Sequence, residues 1–134
     1  MPAPAPTTAY AAYASASSAT ASPVEVVRMA YARVITACDR MTLAADTRKG
    51  GWVETFNTEA IRAQAILVEL TGMLALGHAD PDVALLSDRL AAIYLFCREQ
   101  LVAANIGKDT KKLATVRSAI DGLHSAWEAS LCAR

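Results

Sequence analysis

A chain of 134 residues with 13 basic and 13 acidic side chains carries no formal net charge at neutral pH, and 54% of its residues are hydrophobic. The length predicts one folded domain. The balanced charge argues against nucleic acid as a partner, because such partners need a basic surface. No apolar run approaches the roughly 18 residues of a membrane span, and the first residues include no basic side chain for a secretory signal. We therefore expect a cytoplasmic protein that does not insert into a membrane.

Residues 1–20 differ in composition from the rest of the chain. They are almost wholly Ala, Pro, Ser, Thr and Tyr, which offers few large apolar groups for a core and predicts a flexible N-terminal arm or cap. The aromatic side chains of this arm are Tyr10 and Tyr13. They are either part of a disordered tail or a pair of anchors on one side of a short helical turn. The composition leaves both interpretations open.

Residues 21–134 predict a bundle of four helices, and the first two have clear inward faces. Ser22-Pro23 opens the first helix with a capping side chain followed by proline, and the second begins near Val53 or Thr58. Apolar residues recur at steps of three and four, at Val24, Val27, Tyr31, Val34, Cys38 and Met41 in the first helix and at Phe56, Ala60, Ala63, Leu67, Leu70 and Leu74 in the second.

The third and fourth helices follow the same rules. Asp80-Pro81 opens the third, Gly107 is placed to be the left-handed residue that closes it, and Asp109 or Thr110 can cap the fourth. The inward stripe of the third helix is Val83, Leu86, Leu90, Ile93, Cys97, Leu101 and Ala104. That of the fourth helix is Leu113, Val116, Ile120, Leu123, Trp127 and Leu131. Four helices with short connections predict an all-α fold, an antiparallel up-down four-helix bundle with a mobile N-terminal arm.

The third helix carries apolar residues outside its inward stripe. Leu85, Tyr94, Leu95, Phe96 and Val102 spread around more of its circumference. A helix in a four-helix bundle is not enclosed on all sides. The sequence therefore predicts that a partner, the N-terminal arm or long neighbouring side chains cover part of this surface.

The sequence offers no set of residues with catalytic or metal-binding spacing. His78 and His124 lie in different contexts and lack Glu-x-x-His spacing, and no phosphate-binding glycine motif occurs. Cys38, Cys97 and Cys132 show no Cys-x-x-Cys spacing. Because the first two fall on apolar helix faces, they are predicted to be buried thiols rather than a disulfide or a metal site. We expect no enzyme activity, no cofactor and no metal.

A series of short segments follows the order and spacing of a known family. The tightest is LVAANIGKD at residues 101–109, and the others are Tyr10-Ala-Ala-Tyr13, Ala21-Ser22-Pro23, Ala63–Leu70, Tyr94 and Ser125-Ala126-Trp127. Together they resemble the flagellar secretion chaperone family (FliS), and the resemblance covers nearly the whole chain.

The resemblance implies a bundle that binds the disordered C-terminal segment of flagellin. In that family the segment wraps around the chaperone and forms helices in its surface grooves. Binding would prevent premature polymerisation in the cytoplasm and keep flagellin competent for export by the flagellar type III secretion system. A component of the export gate and an anti-sigma factor are further partners that the resemblance implies. We expect a monomer or a weak homodimer.

The resemblance also implies a set of partner-binding residues. Tyr13 matches the family's tyrosine ahead of Ala21-Ser22-Pro23, Tyr94 matches its tyrosine in the third helix, and Asn105 belongs to its Ala-Asn pair. Whether the arm plugs the groove or contacts the ligand remains open. We expect replacement of Tyr13 by Ala to leave the stability nearly unchanged and to alter the affinity for flagellin. The expected partner-binding residues are Tyr10, Tyr13, Leu90, Tyr94, Leu101 and Asn105.

Three segments depart from the family pattern. Ala32-Arg33 follows Tyr31 where the family has a small polar or acidic residue and glycine. The loop at residues 77–81 lacks a Gly-Gly pair, and Asp88-Arg89-Leu90 replaces an Asn-Leu. A structural or self-associating helical bundle without flagellin binding is the alternative interpretation, and a small enzyme or metal bundle is a third.

Overall fold

The computed structural model describes Thr8, residues 11–13 and residues 22–132. This part of the chain contains no strand, and its long helices are α1 (Pro23–Thr47), α2 (Trp52–Gly72), α3 (Pro81–Gly107) and α4 (Thr110–Cys132). Helices α1 and α3 each pack against both α2 and α4 and lie diagonally opposite each other. The predicted all-α four-helix bundle is confirmed. None of the described helices combines the length and apolar character that crossing a membrane requires.

The starts of α1 and α3 follow the predicted capping signals. Ser22 Oγ accepts a hydrogen bond from the N–H of Glu25 at 3.2 Å, and Asp80 Oδ1 accepts one from the N–H of Asp82 at 2.9 Å. Each cap is followed by proline in the first turn. Because the first N–H groups of a helix have no partner within it, these side chains fix where the two helices begin.

The turn between α3 and α4 corrects one prediction. Gly107, expected to be left-handed, is the last residue of α3, and the left-handed residue is Lys108, with φ of 50°. Hydrogen bonds from the Lys108 side chain, described below, offset the roughly 1–2 kcal/mol that this backbone shape costs a residue with a Cβ. Asp109 then caps α4, because its Oδ1 accepts a hydrogen bond from the N–H of Lys111 at 2.9 Å.

The inward faces of α1, α2 and α4 are those that the sequence predicts. The predicted stripe residues of α1 and α2 are all buried, and so are those of α4 as far as Trp127. The side chain of Leu131 lies outside the described part. Cys38 and Cys97 are buried free thiols, as predicted. Together these side chains form one continuous apolar core along the bundle.

The inward face of α3 differs from the prediction at four positions. Ser87 and Tyr94 face the core, whereas Leu86 and Ile93 lie partly buried at its edge. The assignment of Tyr94 to the outer surface was therefore wrong. Because α3 is apolar around most of its circumference, its periodicity does not specify which side turns inward.

Candidate functional site

Four aromatic side chains from distant parts of the chain meet at one end of the bundle. Tyr13 comes from the N-terminal arm, Tyr31 from α1, Tyr94 from α3 and Trp127 from α4. Each is between 0 and 2% exposed to solvent. We call these four residues the aromatic cluster. It joins the arm to three of the four helices.

Hydrogen bonds run through the aromatic cluster in a chain. Trp127 Nε1–H donates to Tyr31 Oη at 3.1 Å, and the hydroxyl groups of Tyr31 and Tyr94 lie 2.6 Å apart. The Tyr94 hydroxyl is also bonded to the Tyr13 hydroxyl. The Tyr31–Tyr94 bond links α1 to α3 across the diagonal of the bundle. Every polar atom of these buried rings therefore has a partner, as burial requires.

Ring contacts complete the cluster. The rings of Tyr13 and Trp127 have centroids 5.6 Å apart at 51°, and those of Tyr31 and Tyr94 have centroids 6.3 Å apart at 58°. Tilted rings at such separations attract each other beyond their shared burial. His124 of α4 meets the ring of Tyr31 nearly edge-on at 6.4 Å. The ring of Tyr13 is therefore buried against the bundle and contacts Trp127 directly.

Burial keeps the three phenols neutral. Desolvation raises the pKa of Tyr13 and of Tyr94 well above the ordinary value for tyrosine. It also raises the pKa of Tyr31, although hydrogen bonds to Tyr94, Tyr13 and Trp127 partly oppose it. The cluster is thus held by bonds between neutral hydroxyl groups at physiological pH.

A backbone hydrogen bond holds the arm next to the aromatic cluster. The N–H of Ala75, in the loop after α2, donates to the carbonyl oxygen of Ala12 at 2.7 Å. Ala12 itself is fully buried. The described part of the arm is therefore fixed to the bundle at two adjacent points, by the main chain at Ala12 and by the side chain at Tyr13.

The predicted partner-binding residues fall into different environments. Tyr13 and Tyr94 meet in the aromatic cluster, whereas Leu90 and Leu101 lie in the core stripe of α3 and are at most 1% exposed. Tyr10 lies outside the described residues. In the closed bundle Leu90 and Leu101 offer no surface to a partner. The binding role of the six residues stays a prediction.

Asn105 lies at the opposite end of the bundle, where it contacts Lys108. Lys108 Nζ donates to the side chains of Asn57 and Asn105 and to the carbonyl oxygen of Asn105, and it lies 4.9 Å from the centre of the Phe56 ring. Partial burial lowers the pKa of Lys108. These contacts tie the start of α2 to the end of α3, which is a structural role for the Asn-Ile-Gly-Lys segment.

Sequence reasoning missed the polar roles of Tyr31 and Lys108. The sequence places Tyr31 in the core of α1 with no hydrogen-bonding role, and it assigns no role to Lys108 beyond the family-like segment at residues 101–109. The signal for Tyr31 was a phenol in a stripe otherwise made of Val, Cys and Met, because a buried hydroxyl needs a partner. No comparable signal marks Lys108, whose partner Asn57 lies on another helix.

Exposed apolar side chains border the seam between α2 and α3. The contacts of Asn57 and Asn105 with Lys108 show which sides of the two helices face each other. Residues that follow Asn57 along α2, or precede Asn105 along α3, at intervals of three or four positions lie beside the same seam. They include Ile61 and Val68 on α2 and Leu95 and Val102 on α3, each between 44 and 63% exposed. We call these four residues the seam patch.

The fold and the aromatic cluster define a class of protein, a helical bundle with its N-terminal segment packed into one end. A family model described as flagellar protein FliS matches residues 6–133, and the chain therefore belongs to that family. Members of this family are chaperones of flagellar export that bind flagellin. A comparison with curated proteins finds no match.

Proposed function

We propose that this protein binds the C-terminal segment of flagellin in the cytoplasm, prevents its premature polymerisation and keeps it competent for the flagellar type III secretion system. One observation carries the proposal. A tyrosine from the N-terminal arm fills a buried position at one end of the bundle, where it is bonded to Tyr94. A segment outside the bundle thus occupies a site that a second segment can take.

The arm acts in this proposal as a plug that a ligand displaces. Its described contacts are the side chain of Tyr13, the buried Ala12 and one backbone bond to Ala75. These contacts can break while α1 to α4 remain packed on one another. Departure of Tyr13 uncovers Tyr94 and Trp127. It leaves a pocket with an aromatic wall and a hydroxyl group that suits an aromatic or hydroxyl-bearing residue of the ligand.

The seam patch extends the binding surface in this proposal. Exposed apolar residues grouped along the seam between two helices suit the apolar face of an amphipathic helix. A segment that is disordered when free gains enough apolar burial there to fold as it binds. Such binding requires burial rather than chemistry, which agrees with the absence of a catalytic set in the sequence.

Isothermal titration with flagellin tests the proposal. The ligand is a C-terminal flagellin peptide of roughly forty residues, long enough for two or three helices of average length. We expect binding at one peptide per chaperone with a large negative heat-capacity change, because apolar surface is buried as the peptide folds. No heat and no change in gel-filtration volume, with the chaperone folded, would overturn the proposal.

Two variants and one control locate the binding surface. Tyr13→Ala should bind flagellin more tightly, because the plug no longer competes, whereas weaker binding would show that Tyr13 contacts the ligand. Leu95→Ser should weaken binding, and Met29→Ser serves as its control. The two residues are similarly exposed, at 51 and 54%, but Met29 lies on α1 beside His124, away from the seam patch. Equal effects of the two serine variants would remove the seam patch from the proposal.

The alternative function is a self-associating bundle that pairs its own apolar surface. Multi-angle light scattering over a range of concentrations distinguishes the two functions. Concentration-dependent dimers without flagellin binding favour the alternative. A constant monomer mass and stoichiometric flagellin binding favour the chaperone. The export gate component and the anti-sigma factor remain partners that the family resemblance predicts.

A further inference from the structure

A groove runs along the face between α1 and α2, away from the seam patch. It consists of two hollows of about 580 and 250 Å3 that meet at Arg40, which lines both. We call it the α1–α2 groove.

A nearly buried carboxylate organises the centre of this groove. Glu59 is 7% exposed, and its Oε1 lies 2.9 Å from Arg62 Nη1 and 3.6 Å from Arg40 Nη1. A buried carboxylate is costly unless it is paired, and the two guanidinium groups offset that cost for Glu59. The two arginine side chains are themselves 59 and 56% exposed. The carboxylate thus holds Arg62 by a hydrogen bond and Arg40 at ion-pair distance, and both guanidinium groups still face solvent.

These arginines have hydrogen-bonding capacity left for a ligand. A guanidinium carries five N–H donors in a planar fork that matches a carboxylate. The contacts with Glu59 use one nitrogen of each arginine. Because their positions are already constrained, less conformational freedom is lost when a second carboxylate binds them.

The charge of the groove is positive although the chain as a whole is neutral. Arg33, Arg40, Lys49 and Arg62 line it, against Glu59 and Glu69, and the charge of Glu59 is already matched by its two arginines. The groove also has an apolar component. Ile66 and Trp52 are partly buried, and Leu43 is 63% exposed.

We propose that the α1–α2 groove is a second docking site, which binds an acidic amphipathic helix of a partner protein. The apolar face of that helix would pack on Leu43, Trp52 and Ile66. Its carboxylates would meet Arg33, Arg40 and Arg62, because opposite charges in a shallow groove select the partner and speed its association. Nucleic acid fits less well, since Glu69 lies among the few basic residues and repels phosphate.

Fluorescence anisotropy with designed peptides tests this site. The probe is a labelled helical peptide of about twenty residues, roughly 30 Å long, with Leu on one face and Glu along its edges. Its counterpart carries Lys in place of Glu. We expect the Glu peptide to bind at least about tenfold more tightly than the Lys peptide and to lose affinity as salt is raised. Equal binding of the two peptides would overturn the proposal.

Two charge-matched triple variants locate the binding. Arg40→Gln, Glu59→Gln and Arg62→Gln together remove the two guanidinium groups without leaving the carboxylate of Glu59 unpaired, which protects the fold. The control combines Asp88→Asn, Arg89→Gln and Lys111→Gln, exposed residues of α3 and α4. We expect about tenfold weaker binding of the Glu peptide for the first variant and no change for the control. Unchanged binding of the first variant, with a native circular dichroism spectrum and melting curve, would overturn the site.

Two further measurements separate this site from the proposed flagellin site. The flagellin peptide should bind the first triple variant as it binds the natural protein, and it should not displace the Glu peptide. Displacement would assign the groove to flagellin and overturn the proposal of a second, independent site.

Tighter binding of an oligonucleotide duplex than of the Glu peptide would replace the protein partner by nucleic acid. Hydrogen exchange of the natural protein should show protection by the Glu peptide in α1 and α2, and protection confined to α3 and α4 would refute the location.

Discussion

The hydroxyl groups of Tyr13 and Tyr94 hydrogen-bond to each other across 81 positions of the chain. Tyr94 is bonded in turn to Tyr31, which accepts the N–H of Trp127. The N-terminal arm is thereby connected to α1, α3 and α4 through one chain of buried hydrogen bonds. Its docking and the packing at this end of the bundle are energetically coupled.

Replacement of Tyr13 should reveal how strongly the arm is docked. A buried aromatic residue replaced by Ala usually costs about 3–5 kcal/mol. Because the arm can leave while the helices stay folded, we expect Tyr13→Ala to lower the free energy of unfolding by about 1–3 kcal/mol. Tyr13→Phe should cost about 1 kcal/mol, since it loses one hydrogen bond and keeps the ring. Urea unfolding measures both. This revises the expectation from sequence that Tyr13→Ala leaves the stability nearly unchanged.

Hydrogen exchange at Ala75 provides an independent readout of the same variant. Its N–H donates to the carbonyl oxygen of Ala12, and therefore reports whether the arm is docked. We expect strong protection in the natural protein and in Tyr13→Phe, and loss of protection in Tyr13→Ala. An Ala75 amide that stays protected in Tyr13→Ala would show that the arm docks without its tyrosine.

Trp127 should be the most costly side chain of the aromatic cluster to remove. It is 2% exposed, packs on Tyr13 and donates to Tyr31. We expect Trp127→Ala to lower the free energy of unfolding by about 3–5 kcal/mol. Trp127→Phe keeps an aromatic ring and loses the N–H donor, and should cost about 1–2 kcal/mol. A loss below about 1 kcal/mol for Trp127→Ala in urea unfolding would contradict its place in the core.

The free energy of unfolding should begin to fall at a pH below the pKa values of the two buried thiols in the native protein. Burial raises the pKa of Cys38 from 9.0 to about 12 and that of Cys97 to about 11. These groups ionise more readily in the unfolded chain, so the unfolded state binds fewer protons above pH 9. The contribution of the buried thiols to the free energy of unfolding is fully present below that pH. It falls as pH rises, by up to about 1.4 kcal/mol per pH unit for each group. The three buried tyrosines add to the loss above pH 10.

Urea unfolding at a series of pH values, with thiol alkylation followed by peptide mapping, tests this dependence. Cys38 and Cys97 should resist alkylation in the native protein and react once it is unfolded. Cys38→Ala and Cys97→Ala together should make the decline between pH 9 and 10 shallower. A stability that is flat from pH 8 to 11, or native thiols that react as fast as unfolded ones, would contradict the burial.

The two left-handed helix ends should respond differently to glycine. Arg48 and Lys108 have φ of 48° and 50°, a backbone shape that glycine adopts without strain. Arg48 hydrogen-bonds within its own turn and lies over Trp52, so Arg48→Gly should leave the stability unchanged or raise it by up to about 1 kcal/mol. Lys108→Gly also removes the bond to Asn57 of α2, and we expect a loss of about 1 kcal/mol. Thermal and urea unfolding compare the pair, and equal responses would show that the Lys108 bridge contributes nothing.

The candidate site was predictable from the sequence only in part. Tyr13 and Tyr94 were named through the family resemblance, and they are the pair that meets in the aromatic cluster. Leu90 and Leu101 were named with them, but they lie in the core of the closed bundle. Their burial depends on how α3 is rotated about its axis, and a helix that is apolar on several sides does not encode that rotation in its periodicity.

The sequence by itself determined the helices and most of their inward faces. Ser22-Pro23 and Asp80-Pro81 specify two helix starts through local hydrogen bonds and a preset φ, and steps of three and four residues specify the stripes of α1, α2 and α4. The tertiary structure decided that Tyr13 enters the core, that Tyr94 rather than Ile93 faces inward, and that Lys108 rather than Gly107 takes the left-handed position. Each of these outcomes depends on a partner far away in the chain: Tyr13 and Tyr94 depend on each other, and Lys108 depends on Asn57. Local propensity carries no information about such a partner, because the energy that favours the arrangement arises only when the helices have packed.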